Sequence, residues 1–390
     1  MHLTTARRGA IALALCATSA LALQGLALPA AHASTPARTS AVGGIETATA
    51  RTLAASLADP GWRAQVRTAA LGAQQVDLAA LTGRAAAAAP AGLNFAVSSA
   101  DRRIATAKGL GTKAGSLLRL RLGADSMRAA LTPGATPLVA VANNDDSATT
   151  VTAYDSSGRA HILSARQTPR QPVYVVDIDV TKAMATGLAQ LNRQFTKNGL
   201  TSPAAAVDHT TAHTAAHTAA APNSATAAGY WTTKVNSVYL NDDEEPWISG
   251  DAEIFSIVSG FGFDGKVRVD TVDMPYLDND HTTYYPNQIL VNWSNYKYNL
   301  ADVVMMEDDG DTNYSALAKA LADALLTITD QGTYVPLVDA ILAAIPTSWW
   351  TNDPDYVDSW YTLAQSSSGR LNGARGNGWM NVSPYFVQQF

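Results

Sequence analysis

Two acid clusters hold the densest charge in the chain: Asn241-Asp-Asp-Glu-Glu-Pro-Trp-Ile-Ser-Gly-Asp-Ala-Glu253 and Glu307-Asp-Asp-Gly-Asp311. Carboxylates this close repel one another unless something positive sits among them. Calcium suits that role, because it takes roughly six to eight oxygens and accepts them from more than one flexible loop. The spacing predicts a calcium site built from Asp242, Asp243, Asp251 and Glu253 of the first cluster and Asp308, Asp309 and Asp311 of the second. Asp278, Asp280, Asp353, Asp355 and Asp358 are further oxygens within the same region. Flexible, acid-rich loops favour calcium over the smaller magnesium. Asp309-x-Asp311-x-Asn313 opens like an EF-hand loop, but Tyr314 replaces its glycine and Ala320 its last glutamate. An EF-hand is therefore excluded.

A second pair of acids ends the run Val173-Tyr-Val-Val-Asp-Ile-Asp-Val-Thr181. The run resembles the strand end of haloacid-dehalogenase-like phosphohydrolases. That resemblance implies Asp177 as nucleophile and Asp179 as acid/base, with magnesium beneath them and Lys266 or Lys297 holding phosphate. A competing reading makes Asp179 or Thr181 the cap of the helix that follows. The segments after Thr181 also lack the alternating strands and helices that such a fold requires. Phosphoryl transfer is accordingly the alternative, and a non-catalytic role comes first. No Gly-x-Ser-x-Gly elbow is present, and the only histidine after residue 230 is His281. Trp247, Tyr276, Tyr284, Tyr285 and Trp293 could together offer a sugar-binding surface, although cores and strand edges use the same residues more often.

The acids follow hydrophobic runs, Val235 to Leu240 before the first cluster and Val303 to Met306 before the second. A strand fixes its last residue, and the loop beyond it is free to gather side chains. Further strands are expected at Glu253 to Val258, Val267 to Val272, Ile289 to Trp293 and Trp379 to Val387. Several of these are apolar on both faces, as in a covered sheet, and the set predicts a β-sandwich over 230–390. A helical insertion at 314–345 carries Leu317, Leu321, Leu325 and Ile328 along one stripe, then Leu337, Val338, Ile341 and Leu342. Packing on the sheet is the expected use of such stripes.

Upstream, Arg7 and Arg8, the apolar run to Leu28 and Ala31-His-Ala33 read as a signal peptide over 1–33. Its removal takes away Cys16, the single cysteine, and moves the net charge from −6 to −8. A secreted chain without disulfides relies on its core or on metal. Residues 34–92 read as a disordered lead-in followed by helices, with Asp59-Pro60 and Asp77 as helix starts. Residues 93–200 read as a small α+β domain with a strictly alternating strand at Leu118-Arg-Leu-Arg-Leu122, strands at Pro137 to Ala142 and Pro172 to Ile178, a hairpin over Thr149 to Ala165, and a helix from Thr181 to Gln194. Residues 201–229, nearly all Ala, Thr and His, read as a linker. The fold class expected is thus α+β and β-rich, with the C-terminal sandwich preceded by a small α+β region.

Val238-Tyr-Leu-Asn-Asp and Gly250-Asp-Ala-Glu-Ile-Phe are similar to the first calcium loop of synaptotagmin-type β-sandwiches, and Val304-Met-Met-Glu-Asp-Asp-Gly-Asp311 to their later acidic loop. The helical insertion after Asp311 departs from that pattern. Asp273-Met-Pro-Tyr-Leu, Tyr285-Pro-Asn-Gln-Ile-Leu, Glu307-Asp-Asp-Gly-Asp-Thr-Asn-Tyr314, Asn352-Asp-Pro-Asp-Tyr-Val-Asp-Ser-Trp-Tyr361 and Gly376-Asn-Gly378 resemble an uncharacterised family of secreted bacterial proteins. That family implies a fold and no activity. The partners expected are an extracellular ligand such as a glycan or cell-surface component, or a membrane surface. An acidic chain disfavours nucleic acid, and no transmembrane segment is expected after the signal peptide.

Overall fold

The computed structural model describes residues 40–388 apart from 112–113, 143–147, 202–228, 243–251, 309, 311 and 346–355. The expected signal peptide, 1–33, and residues 202–228 of the expected linker therefore lie outside the described residues. Four helices come first: α1 (Ala41–Ser56), α2 (Pro60–Gly72), α3 (Leu78–Arg84) and α4 (Leu93–Ala107). Asp59 caps α2 by accepting from Trp62 N at 2.8 Å, with Pro60 at the first helical position, and Asp77 caps α3 through Ala80 N at 2.8 Å. Helix α1 starts earlier than the apolar spacing suggests, because Ser40 Oγ accepts from Gly43 N at 2.9 Å. Helix α4 was not legible as a separate helix. It lacks a side-chain cap, starting from Gly92 at φ 82°, and packs beside α1 and α3.

A six-stranded sheet follows, formed by β1 (Gln75–Asp77), β2 (Leu118–Leu122), β3 (Leu138–Val141), β4 (Thr150–Tyr154), β5 (Ala160–Ser164) and β6 (Val173–Ile178). Its spatial order is β1-β2-β6-β3-β4-β5, with β3 and β6 the single parallel pair. Alternation explains the pairing of β2 with β6. Leu118, Leu120 and Leu122 enter the core, and Arg119 and Arg121 turn their charges toward the acids at the end of β6. Helix α5 (Val180–Lys197) leaves that end.

After residue 228 come β7 (Gly229–Leu240), β8 (Ile254–Phe261), β9 (Val267–Asp273), β10 (Thr283–Tyr284), β11 (Gln288–Asn292), β12 (Leu300–Glu307), α6 (Tyr314–Leu325), α7 (Val338–Ala344), β13 (Tyr356–Ala364), β14 (Gly369–Asn372) and β15 (Gly378–Gln388). They make two antiparallel sheets. One runs β10-β7-β15-β14 with β11 also on β7, and the other runs β13-β12-β8-β9. Val235, Val238, Met380 and Val382 of the first meet Ile254, Val258, Val303, Met305 and Trp360 of the second in one core. This is the expected sandwich. Strands β13 and β14 were missed in the sequence: Asp358 and Ser359 interrupt the apolar pattern of β13, yet both are fully buried.

The second sheet is covered on both faces, as the unbroken apolar runs of β8 and β12 require. Phe255, Ile257, Val267, Val269, Val304 and Met306 face a second core that also holds Tyr314, Leu317 and Leu321 of α6, Leu188 and Leu191 of α5, and the apolar residues of α1 to α4. Regions on either side of residues 202–228 thus share one hydrophobic interior, and residues 39–390 form one compact unit. Among the described residues no helix is long and apolar enough to cross a membrane.

Candidate metal centre

Strand register gathers the described acids at one end of the sandwich. Glu307 pairs with Ile254, Asp308 N donates to Glu253 O at 3.1 Å, and Phe255 pairs with both Met306 and Asp273. Glu253, Asp273, Glu307 and Asp308 therefore end neighbouring strands. Asp242 joins them from the other sheet through Asn377, whose Nδ2 donates to Asp242 O at 2.9 Å and to Val357 O at 3.3 Å. A shallow cleft lined by Asn241, Asp242, Arg375, Gly376 and Asn377 opens there. Asp243, Asp251, Asp309 and Asp311 of the expected site lie outside the described residues.

Strand alternation then divides the acids between two faces. Asp308 shares the helix-side face with Val304 and Met306, whereas Glu307 shares the inter-sheet face with Val303 and Met305. Glu307 is 1 % exposed, and neither of its carboxylate oxygens has a hydrogen-bond partner. Burying an ionised carboxylate without a counter-charge costs several kcal/mol, even after the surroundings relax. Such a group calls for a cation or a proton.

Asp308 is placed very differently. Lys108 Nζ lies 3.0 Å from its Oδ1 and 3.3 Å from its Oδ2, and the Tyr314 hydroxyl donates to Oδ2 at 2.6 Å. Both side chains of the ion pair are fully enclosed. The charge of Asp308 is met from within the fold. Glu253 accepts from Thr181 Oγ1 at 3.0 Å. The Tyr314 hydroxyl is held well above its ordinary pKa, first by burial and then by Asp308, Glu253 and Asp273. Burial also raises the carboxyl of Asp273, whose Oδ1 has no partner.

Lys108 arrives from the end of α4, 200 residues away in sequence. The turn after it is clasped by the start of α6: Tyr314 N donates to Lys108 O at 3.0 Å, Asn313 Nδ2 to Ala107 O at 2.7 Å, and Ser315 Oγ to Gly109 O at 2.8 Å. Gly109 has φ 64°, and a Cβ there would sit 2.7 Å from Asn313 Oδ1. Sequence reasoning missed Lys108. A signal existed, because it falls at helical spacing on the buried stripe of Leu93, Val97 and Ile104.

The remaining candidates occupy structural positions. Asp177 pairs with Arg121 Nε at 3.1 Å, and burial raises its carboxyl despite that partner. Asp179 caps α5 by accepting from Lys182 N at 3.0 Å and pairs with Arg119 at 2.6 Å. Lys297 pairs with Asp330 at 2.5 Å, and Lys266 donates its backbone N–H to Asp264. Asp278 accepts from the Tyr284 hydroxyl at 2.7 Å. Asp358 accepts backbone N–H groups from Ser359, Arg375 and Gly378. Among the described residues no group of three or more His, Cys, Asp or Glu side chains is arranged to hold a metal ion. Of the described acids at this end, Glu307 is the one with both carboxylate oxygens buried and without a hydrogen-bond partner.

No curated protein and no solved structure matches the chain at a significant level. Residues 50–390, which include both sheets of the sandwich, α4 with Lys108 and every described acid discussed above, match one family model, and on that match the chain belongs to the family described as Protein of unknown function (DUF3103).

Proposed function

We propose that this is an exported, non-catalytic binding protein whose acidic sandwich end takes up calcium. The observation that carries the reading is Glu307, a buried carboxylate with two unpartnered oxygens at the end where both acid clusters begin or end. A hard cation turns that liability into a ligand, and Asp309 and Asp311 lie two and four residues further along the chain. Binding would order the loops at this end and present them to an extracellular ligand, such as a glycan or another cell-surface component. Asp177 and Asp179, committed to Arg121, Arg119 and the cap of α5, favour this reading over phosphoryl transfer.

The test is thermal unfolding of the chain from Ser34 onward in calcium, in magnesium and in chelator. Calcium should raise the midpoint selectively, by about 2.7 kcal/mol of stability at a hundredfold excess over Kd. Glu307→Gln should abolish that rise and leave the midpoint in chelator unchanged or higher, since it removes an uncompensated buried charge. Equal midpoints in calcium and chelator for the parent chain would overturn the reading.

A further inference from the structure

Lys108 and Asp308 form a buried amine–carboxyl pair with the surroundings of a reaction site. We propose that they condense spontaneously into an amide, a covalent cross-link between the end of α4 and the end of β12. Nζ stands 3.0 and 3.3 Å from the two carboxyl oxygens, so it faces the carbon between them as well. Both side chains are fully enclosed. Proximity of this kind replaces an encounter in solution with a contact already made, and such pre-positioning is worth several powers of ten in rate. Enclosure also keeps out the water that would reverse the reaction.

Each part of the chemistry has a named residue. The ammonium of Lys108 gives a proton to the carboxylate of Asp308, leaving an amine and a carboxylic acid. The Nζ lone pair attacks Cγ, and the developing oxyanion at Oδ2 is met by the Tyr314 hydroxyl, already 2.6 Å away. Tyr314 is itself fully buried, so no bulk water competes for that hydroxyl. The proton on the attacking nitrogen passes to the Oδ1 hydroxyl, the oxygen that stands 3.0 Å from Nζ, and that hydroxyl departs as water. One C–N bond forms, one C–O bond breaks and one water leaves. Nothing is oxidised or reduced, and no co-reactant is needed.

The consequence fits a chain whose only cysteine is Cys16. The bond would join two regions that flank residues 202–228, doing for this fold what a disulfide does elsewhere.

The experiment is the intact mass of the folded chain from Ser34, followed by digestion and fragment sequencing. The expected mass is lower than the sequence mass by one water, with a branched peptide joining the segments that contain Lys108 and Asp308. Lys108→Arg keeps a cation on Asp308 but cannot form this amide, and should restore the full mass. Tyr314→Phe, which removes the donor to Oδ2, should slow the loss of water severalfold in freshly refolded protein. A full sequence mass in the folded parent chain would overturn the proposal. So would a loss of water that persists in Lys108→Arg, which would assign it to a cyclic imide at Asp309-Gly310.

Discussion

At the scale of single residues, the acidic end shows how burial turns like residues into unlike ones. Asp308, Glu307 and Asp273 sit within a few residues of one another in the sheet register. Asp308 has a cation, Glu307 has nothing, and Asp273 has a carboxyl whose pKa is raised by burial above the ordinary 3.8. A raised carboxyl has a definite sign in stability. Below 3.8 Asp273 is protonated in both folded and unfolded chains and carries no penalty. As pH climbs from 3.8 toward its raised value the folded state holds a proton that the unfolded state has lost, and stability falls. Asp273→Asn removes that penalty. In chelator the variant should be more stable than the parent at neutral pH, and the advantage should vanish as pH falls toward 3.8. Urea unfolding across that range checks both the sign and the window.

At the scale of elements, the joint between α5 and α6 decides how the helical layer fits the sheet. Tyr314, the first residue of α6, lays its ring on Gly187 in the middle of α5, and a Cβ at Gly187 would overlap ring carbons of Tyr314. Helix propensity alone favours alanine at such a position by about 1 kcal/mol. Overpacking a filled core costs about 1–3 kcal/mol, and contacts this close with a fully buried ring lie at the upper end. Gly187→Ala is therefore expected to destabilise the protein by about 2 kcal/mol, measured by urea unfolding. Stabilisation instead would mean that α5 and α6 do not meet at this residue. The same substitution displaces the Tyr314 hydroxyl, so it should also slow the loss of water expected from Lys108 and Asp308.

At the scale of the whole molecule, the second sheet needs cover that the C-terminal region does not supply alone. Its helix-side face, with Phe255, Ile257, Val267, Val269, Val304 and Met306, lies in a core shared with α5 and with residues of α1 to α4. The full chain should therefore unfold in one calorimetric transition. A fragment beginning at Gly229 would leave part of that face to water and should bind a hydrophobic dye, aggregate or melt far below the full chain. Two separate transitions in the full chain, with the upper one reproduced by the fragment, would show independent domains. If the amide forms, closing a loop of 200 residues constrains the unfolded chain by on the order of 5 kcal/mol, and Lys108→Arg should lower the midpoint of that single transition.

The sequence by itself determined the elements whose physics is local. Asp59-Pro60 and Asp77 announced their helices because a cap needs only its own N–H groups, and Leu118 to Leu122 announced its strand because alternation is a local pattern. The sandwich was legible for the same reason, and so was the gathering of acids after β7 and β12. What the tertiary structure decided was which acids have partners. Asp308 and Glu307 are adjacent and carry the same charge, and they are set apart by which face of the sheet each takes at the end of β12. One face brings Lys108 from 200 residues away, and the other brings no hydrogen-bond partner. Asp358 hid β13 in the sequence because its three backbone donors come from residues 359, 375 and 378, two of them across a turn. Charge and spacing travel with the chain, but desolvation and pairing depend on what the fold places opposite, and they set what each carboxylate can do.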